Sequence, residues 1–490
     1  MSSEIILLCI LIYFLLLIAI AYFTGKNANS ESYFLGNKKS LWFVVAFGLI
    51  GDSLSGVTYI SVPGSVKGAQ FNYFQMVLGY VIGYWAISYI LLPLYYRLQL
   101  TSIYTYLRDR MGVHTQRTGA FFFLLSRIIG AAARLFLAAI VLQRFVFDGF
   151  GIPFPLTVAI IIFLILVYTY KGGIKTLVWT DMMQSSFLLL GVIFSIVFIC
   201  SELNLSIWDI VPAIKNSAYS QIFYWDWKAG NYFWKQFLGG AFIAICMTGL
   251  DQNMMQKNLS CKTLGEAQKN INAFSIIVVL VNLLFLGLGA LLYIYANSKQ
   301  ISIPERADEL FPFLAFNYLG TFAGLVFVIG LTAATFNSAD SVLTTLTTSF
   351  YIDFLRKETD NSEAHTRLRM LIHVGFAILL FITVLSFKLF KDESMIFLVM
   401  SIAAITYGPL LGLFAFGIFT TKKPIDALVP LVCIVSVTIC TLLYIASKNK
   451  LVWLNGYVFG QELLIINGFI TFIGLWLISK SPATITNLNN

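Results

Sequence analysis

Thirteen apolar segments constrain this chain more than any other feature. Their lengths suit helices that cross a bilayer with about 20 residues each, and none shows the ~10-residue alternation of a membrane β-barrel strand. The segments cover approximately residues 5–23, 41–64, 72–94, 119–143, 156–170, 177–200, 236–254, 271–296, 319–348, 370–387, 395–419, 425–446 and 462–479. Only 11% of the 490 residues are charged, against about 25% in a soluble domain. The sequence therefore predicts an all-α polytopic membrane protein with about 13 transmembrane helices.

The basic residues predict the orientation. Connections on one side of the membrane carry nineteen Lys and Arg, with Lys257 counted among them, and those on the other side carry eleven. Because cytoplasmic loops are richer in positive charge, we expect an outer N-terminus and a cytoplasmic C-terminus, in a plasma membrane or, in a bacterium, the inner membrane. A signal peptide is the alternative for residues 5–23, but the leader "MSSE" lacks the basic residues of such a peptide. We therefore expect a retained helix.

The net charge of +9 does not indicate a nucleic-acid partner. The positive charges are distributed between apolar segments rather than gathered in one patch. None of the six cysteines forms a CxxC pair or a Cys/His cluster, so neither zinc nor a disulfide framework is indicated. The partners that we expect are the lipid bilayer, a small-molecule solute and sodium.

The second segment contains a stretch that is unusual inside a membrane, "GLIGDSLSGVTYISVPG" at 48–64. Glycines there either allow close helix packing or make an unwound turn sterically easy. Asp52, beside Ser53 and Ser55, favours an unwound functional site, because a charge inside a membrane is expensive and usually functional. Unwound backbone is tolerated there only where it is buried in protein or lines a cavity.

The seventh segment, "QFLGGAFIAICMTGLDQN", is interrupted in the same way. Two five-helix units that each open on a broken helix, and that enter the membrane from opposite sides, are typical of secondary transporters. The predicted organisation is a peripheral helix and cytoplasmic loop (1–40), a first inverted repeat (41–200), an outer loop (201–235), a second inverted repeat (236–420), and two helices with a short cytoplasmic tail (421–490).

A polar stripe follows in residues 330–350. Ala334, Asn337, Ser338 and Ser341 share one face of a helix, and Asp340 lies about 60° from Asn337 on it. Hard cations prefer oxygen ligands, which this stripe offers. The alternative is that its hydroxyls bond back to their own helix, which we accept for the threonines.

Five stretches in order give the chain a resemblance to the sodium:solute symporter family. They are "SLSGVTYISVPG", "LLPLYYRLQLTSIYTYLRDRMG", "GGIKTLVWTDMMQ", "GLDQNMMQKNLSCKT" and "AATFNSADSVLTTLTTSFYIDF". The family includes sodium-coupled carriers of sugars, sialic acid, proline, pantothenate and monocarboxylates. The resemblance covers about residues 1–480 and implies a leucine-transporter-type fold with two inverted five-helix repeats.

The resemblance also implies sodium sites. The main one would use the carbonyls of Gly51, Leu54 and Ala334 with side-chain oxygens of Asn337 and Ser338, where family members usually have small hydroxyl residues at both last positions. A second site, present in some members, would involve Asp181, Ser338, Asp340 and Ser341. Such members carry a hydroxyl at the position of Asp340, so this carboxylate could hold a second cation or a proton. One sodium ion is expected and a second is left open.

The implied solute pocket centres on Arg134, which matches the position where sialic acid carriers of the family hold a carboxylate. A guanidinium suits that role because its fork bonds a carboxylate bidentately. The alternative is a structural counter-ion for Asp52, Asp181 or Asp340. Arg127 is expected to snorkel toward the cytoplasmic end. The further pocket candidates are Asp52, Ser53, Thr58, Phe74, Gln75 and Gln143.

These observations favour a sodium-coupled symporter that imports a small polar solute, such as sialic acid or another organic acid, by alternating access as a monomer. Symport of a neutral sugar or polyol, a proton-coupled carrier and a channel are the alternatives. A channel usually needs a repeated pore ring, which the sequence does not suggest. With three histidines and no catalytic cluster, an enzyme is not expected.

Overall fold

The computed structural model describes residues 3–25, 30–169, 173–355, 363–389 and 395–480. Within these ranges every predicted segment is helical. Nine helices are long and apolar enough to cross a membrane, two further spans are bent pairs, and two are shorter apolar helices, Phe154–Thr169 and Leu463–Leu477. They match the thirteen predicted segments one for one. Helices are expected because lipid offers no partner to backbone N–H and C=O groups, which must therefore bond within the segment.

The α-helices are, in chain order, α1 (Ser3–Gly25), α2 (Ser30–Leu35), α3 (Trp42–Ser53), α4 (Gly56–Ala69), α5 (Tyr73–Ala86), α6 (Leu92–Arg97), α7 (Thr105–Arg110), α8 (Val113–Phe145), α9 (Phe154–Thr169), α10 (Gly173–Glu202), α11 (Ile210–Lys215), α12 (Phe233–Ala244), α13 (Gln252–Asn258), α14 (Leu264–Ser298), α15 (Leu310–Asn317), α16 (Gly320–Ser349), α17 (Glu363–Ser386), α18 (Met395–Thr406), α19 (Gly408–Phe419), α20 (Val429–Lys448) and α21 (Leu463–Leu477). Wider π-helical turns at Ile87–Leu91, Ile245–Gly249 and Phe350–Phe354 extend α5, α12 and α16. The short strands β1 (Lys423–Pro424) and β2 (Ser479–Lys480) pair antiparallel, with Lys423 opposite Lys480.

The helix α16 lies at the centre of the bundle. In its most apolar stretch 78% of the residues are buried, whereas 22% are buried in the spans of α17 and α20, which therefore form the lipid-facing periphery. The first helix, α1, is also peripheral. It packs one face on the bundle, where the Phe14 and Phe336 rings lie 4.6 Å apart, and exposes Leu8, Ile12 and Leu15 on the other.

The two predicted breaks are present. The axes of α3 and α4 differ by 59° across Leu54 and Ser55, and the axes of α12 with its π turn and α13 differ by 68°. At the first break Leu54 and Ser55 leave helical geometry. Gly56 lets α4 approach α16, since a Cβ there would come within 2.8 Å of Thr335 Oγ1. Glycine and hydroxyl residues thus make the first span bend where the sequence predicts it.

Candidate functional site

A cavity lies where the two broken helices meet α5, α8 and α18. The first break contributes hydroxyl groups, and the second contributes mainly apolar side chains. The lining residues are Asp52, Ser53, Leu54, Ser55, Val57, Thr58, Tyr73, Tyr80, Tyr84, Arg127, Arg134, Ile243, Ala244, Met247, Thr248, Met254, Val399 and Met400. Its mixed wall suits a small polar solute.

Arg134 differs from the other charged residues that line this cavity, Asp52 and Arg127, in having no charged partner among the described residues. Its side chain lies on α8 and is 6% exposed, and the guanidinium makes no ion pair or hydrogen bond with any other residue that the structure describes. A buried guanidinium inside a membrane is costly unless it is paired. The cavity beside Arg134 is therefore suited to an anionic group.

Arg127 differs from this, and the expectation that it snorkels to the cytoplasmic end is wrong. It is buried two turns before Arg134, and its Nε donates to Asp251 Oδ2 at 2.5 Å. Tyr407 Oη donates to the same carboxylate oxygen at 2.7 Å. Asp251 lies at the second break, so this pair ties α8 to the broken helix. Helical position alone could not reveal a carboxylate 124 residues away.

The backbone at the first break lies against the polar stripe of α16. The Gly51 N–H donates to Ser185 Oγ at 2.9 Å, and a Cβ at Gly51 would come within 2.7 Å of Asn337 Cγ. Asn337 Nδ2 in turn donates to the backbone oxygen of Asp181 at 3.4 Å. These contacts place Gly51 and Asn337, two of the predicted main sodium ligands, against each other.

Several buried oxygens in this region lack hydrogen-bond partners among the described residues, and Asn337 Oδ1 and Asp181 Oδ1 are two of them. Ser338 Oγ donates to the Ala334 carbonyl at 3.3 Å, which leaves its lone pairs available. Since buried acceptors are normally satisfied, these unpaired oxygens have the chemistry that a hard cation requires.

Lys257 is a buried charged residue that the sequence prediction misplaced. The predicted seventh segment ends at 254, so Lys257 was assigned to a cytoplasmic connection. It is instead 1% exposed, on α13, and its ammonium pairs with Asp52 and, at 2.6 Å, with Asp181 Oδ2. It also donates to Ser341 Oγ at 2.7 Å. A second half-helix after the break was the signal that could have kept Lys257 in the membrane.

Asp340 has partners of its own. Tyr168 Oη donates to Asp340 Oδ2 at 2.8 Å, and Gln184 Nε2 lies 3.5 Å from the same oxygen. Asp340 is buried but is not among the groups that pair with Lys257. The adjacent Asp340 and Ser341 thus face different partners.

Three predicted pocket residues do not line the cavity. The Gln75 side chain donates to the Asn231 carbonyl at 3.0 Å and accepts from the Tyr224 N–H at 3.1 Å, so it anchors the outer loop. Gln143 bonds the Ile152 carbonyl, 2.6 Å away. Phe74 is packed in the hydrophobic core. For these three, the structure corrects the predicted position; Asp52, Ser53 and Thr58 do line the cavity.

Tyrosines were missed as well. Tyr73, Tyr80 and Tyr84 line the cavity from one face of α5, and Tyr73 and Tyr80 hydroxyls are 3.4 Å apart. Tyr80 follows Tyr73 by seven residues and Tyr84 follows Tyr80 by four, and these spacings place all three on one helix face. That face could have been found from the sequence, but its contact with the cavity could not.

Helices that break inside a membrane are found where they bind solutes and ions, and two such helices around one polar cavity define the class of secondary transporters. The sodium:solute symporter family matches residues 33–425, and the chain belongs to this family. It is therefore a sodium-coupled transporter rather than an enzyme, as the sequence predicts.

Similar proteins agree with this assignment. The chain is 24% identical to the sodium/sialic acid symporter NanT of Aliivibrio fischeri, over 92% of this chain and 89% of the relative. It is 26% identical to the human sodium-coupled monocarboxylate transporter 1, over 84% of this chain and 68% of the relative.

Solved structures confirm the predicted leucine-transporter-type fold. A substrate-bound, outward-open sodium-coupled sialic acid symporter superimposes with a TM-score of 0.82, at 19% identity, over 98% of this chain and 99% of the other. Mhp1, a nucleobase-cation-symport-1 family transporter, gives 0.57 at 13% identity, over 92% and 96%.

Proposed function

We propose that this symporter imports a small polar solute that carries a carboxylate, such as sialic acid or another organic acid, and that Arg134 binds the carboxylate. The observation that carries the proposal is the contrast between two buried arginines of one helix. Arg127 is neutralised by Asp251 at 2.5 Å, whereas Arg134 lines the cavity and pairs with no anion among the residues that the structure describes. The relatives NanT and monocarboxylate transporter 1 are named for solutes that carry a carboxylate.

The counter-ion role for Arg134 has little support. Asp52 and Asp181 pair with Lys257, and Asp340 accepts from Tyr168. With each carboxylate engaged elsewhere, an incoming anion is the natural partner for Arg134. Its planar fork would fix that anion through two parallel hydrogen bonds.

One sodium ion would bind at the first break. Its ligands would be the Gly51, Leu54 and Ala334 carbonyls with Asn337 Oδ1 and Ser338 Oγ. The orphaned Asn337 Oδ1 and the contact of Gly51 with Asn337 support this set. A cation there would hold α3 against α16 and favour the cavity geometry that accepts solute, which couples the two ligands.

The remaining proposals concern the setting of the molecule. The N-terminus lies outside and the C-terminus in the cytoplasm, in a plasma or bacterial inner membrane, because the cytoplasmic set of basic residues stays larger after Lys257 is removed from it.

The chain works as a monomer, since its cavity is built from one chain. The inverted repeats are 41–200 and 236–420, each opening on a bent span.

Substitution of Arg134 by lysine tests the solute proposal. Arg134→Lys keeps the charge and loses the fork. We expect the apparent KM for the best acid substrate to rise roughly tenfold or more, because a charge-assisted hydrogen bond contributes about 1.5–3 kcal/mol. The assay is uptake into proteoliposomes of labelled sialic acid, lactate, pyruvate, glucose and proline.

The matched control is Arg144→Lys, on the same helix, where Arg144 is exposed and pairs with Glu309 at 3.0 Å. Its KM should stay close to wild type. If the best substrate has no acidic group, or if Arg134→Lys transports an acid normally, the neutral-solute alternative replaces this proposal.

A further inference from the structure

Close to the proposed sodium site, the Lys257 ammonium lies among buried oxygen atoms. Lys257 Nζ pairs with Asp52 and lies 2.6 Å from Asp181 Oδ2 and 2.7 Å from Ser341 Oγ. These three oxygens come from three different elements, α3, α10 and α16. The ammonium is 1% exposed, so water does not compete for it.

The partners of Lys257 overlap with the oxygens expected of a second sodium site. Asp181 and Ser341 belong to the predicted second set, and both bind the ammonium instead. A sodium ion on the same oxygens would lie next to a unit positive charge in a poorly hydrated interior, where like charges repel strongly. An ammonium with its three donors can satisfy such oxygens in place of a metal cation.

We propose that Lys257 is a tethered cation that takes the place of a second sodium ion, so that the carrier couples each solute to one sodium ion at the main site. This inference rests on the proposed sodium site. The charges are consistent with it: Asp52 and Asp181 carry two negative charges, and the Lys257 ammonium neutralises one of them. The covalent tether keeps that charge in the protein through the cycle, whereas a sodium ion would be released inside.

The tether also has a positional role. Lys257 lies on the second half of the second broken helix, and Asp52 lies at the end of the first half of the first one. Their ion pair therefore joins the two broken helices directly. A second sodium ion would make this connection only while it is bound, whereas the Lys257 ammonium stays attached to α13.

Sodium binding to the purified full-length protein tests the inference without knowledge of the solute. Calorimetric titration with sodium chloride, at constant ionic strength in choline chloride, gives the number of sodium ions per chain. We expect one in wild type, with a Hill coefficient of about 1. In Lys257→Met, which removes the ammonium and keeps a similar length and volume, the carboxylates are freed and two should bind. Lys262→Met, an exposed lysine after the same half-helix, should keep one.

Each outcome decides a different claim. A wild type that binds two sodium ions would overturn the tethered cation, whether or not the variant folds. A folded Lys257→Met that still binds one would overturn it as well. A wild type that binds no sodium would instead overturn the proposed sodium site, and this inference with it.

Discussion

Buried charges show at the residue scale how this chain separates structural from functional side chains. Arg127 and Arg134 lie two turns apart on one helix and are both buried. Arg127 has a carboxylate within 2.5 Å and a tyrosine that orients it. Arg134 lines the cavity and has no such partner among the described residues. The first arginine therefore has its counter-ion within the protein, whereas the second is open to a ligand.

Removal of the charge of Asp251 should destabilise the protein. Asp251→Asn leaves the Arg127 charge buried without its counter-ion, and breaking a buried pair in this way costs about 3–5 kcal/mol. We expect a clearly lower melting temperature in detergent. Asp109→Asn is the control, because the Arg108–Asp109 pair is 42% and 57% exposed and such pairs contribute about 0–1 kcal/mol. Equal melting temperatures for the two variants would contradict the structural role of Asp251.

Single residues could be predicted only where their own segment carries the signal. Arg134 was predicted because a charge within an apolar segment is conspicuous and because it matches a family position. Lys257 was not, because its partner Asp52 is 205 residues away and its segment is polar. Pairing across such distances depends on how helices pack, which local pattern does not encode.

At the scale of elements, the first broken helix joins the proposed sodium site to the cavity. The span α3–α4 bends by 59°, and its Gly51 lies against Asn337 and Ser185. The same break continues into Asp52, Ser53 and Thr58, which line the cavity. A cation bound at the proposed site would therefore affect the cavity wall on the other side of the break.

Gly51→Ala should lower the apparent affinity for sodium, and we expect the variant still to fold. The new methyl group would lie 2.9 Å from Ser185 Oγ and closer to the Asn337 amide, so Asn337 must move from the proposed site. We expect the sodium concentration for half-maximal uptake to rise roughly tenfold, as for the loss of one charged contact. Gly130→Ala, on α8 with nothing within 4 Å of the added atom, should behave as wild type. A Gly51→Ala variant with unchanged sodium dependence would show that Asn337 is not a ligand.

Breaks were predictable as elements, but their geometry was not. Glycine, serine and a buried charge at 48–56 indicate that α3 ends there, because such residues form helices poorly and lipid does not tolerate them without a purpose. The length of the second half-helix, α13, was underestimated, since "QNMMQKN" is too polar to be recognised as a membrane segment. That error moved Lys257 out of the site.

For the whole molecule, hydropathy was sufficient to predict which segments form helices. All thirteen segments are helical in the described residues, because a backbone in lipid has few alternatives. The packing of these helices into a leucine-transporter-type fold was available only from the family resemblance, since helix periodicity does not specify which helices are neighbours. The sodium-coupled activity follows from family membership, whereas the carboxylate-bearing solute is a proposal argued from the residues that line the cavity.

Sodium-driven uptake of an acid is the central claim, and one measurement tests it most directly. Wild-type protein in proteoliposomes is given the best labelled acid, with an inward gradient of sodium or of choline, at fixed membrane potential and pH. The account predicts that the acid accumulates above its outside concentration with sodium and equilibrates slowly, if at all, with choline. Equal rates and equal final levels under the two gradients would contradict it.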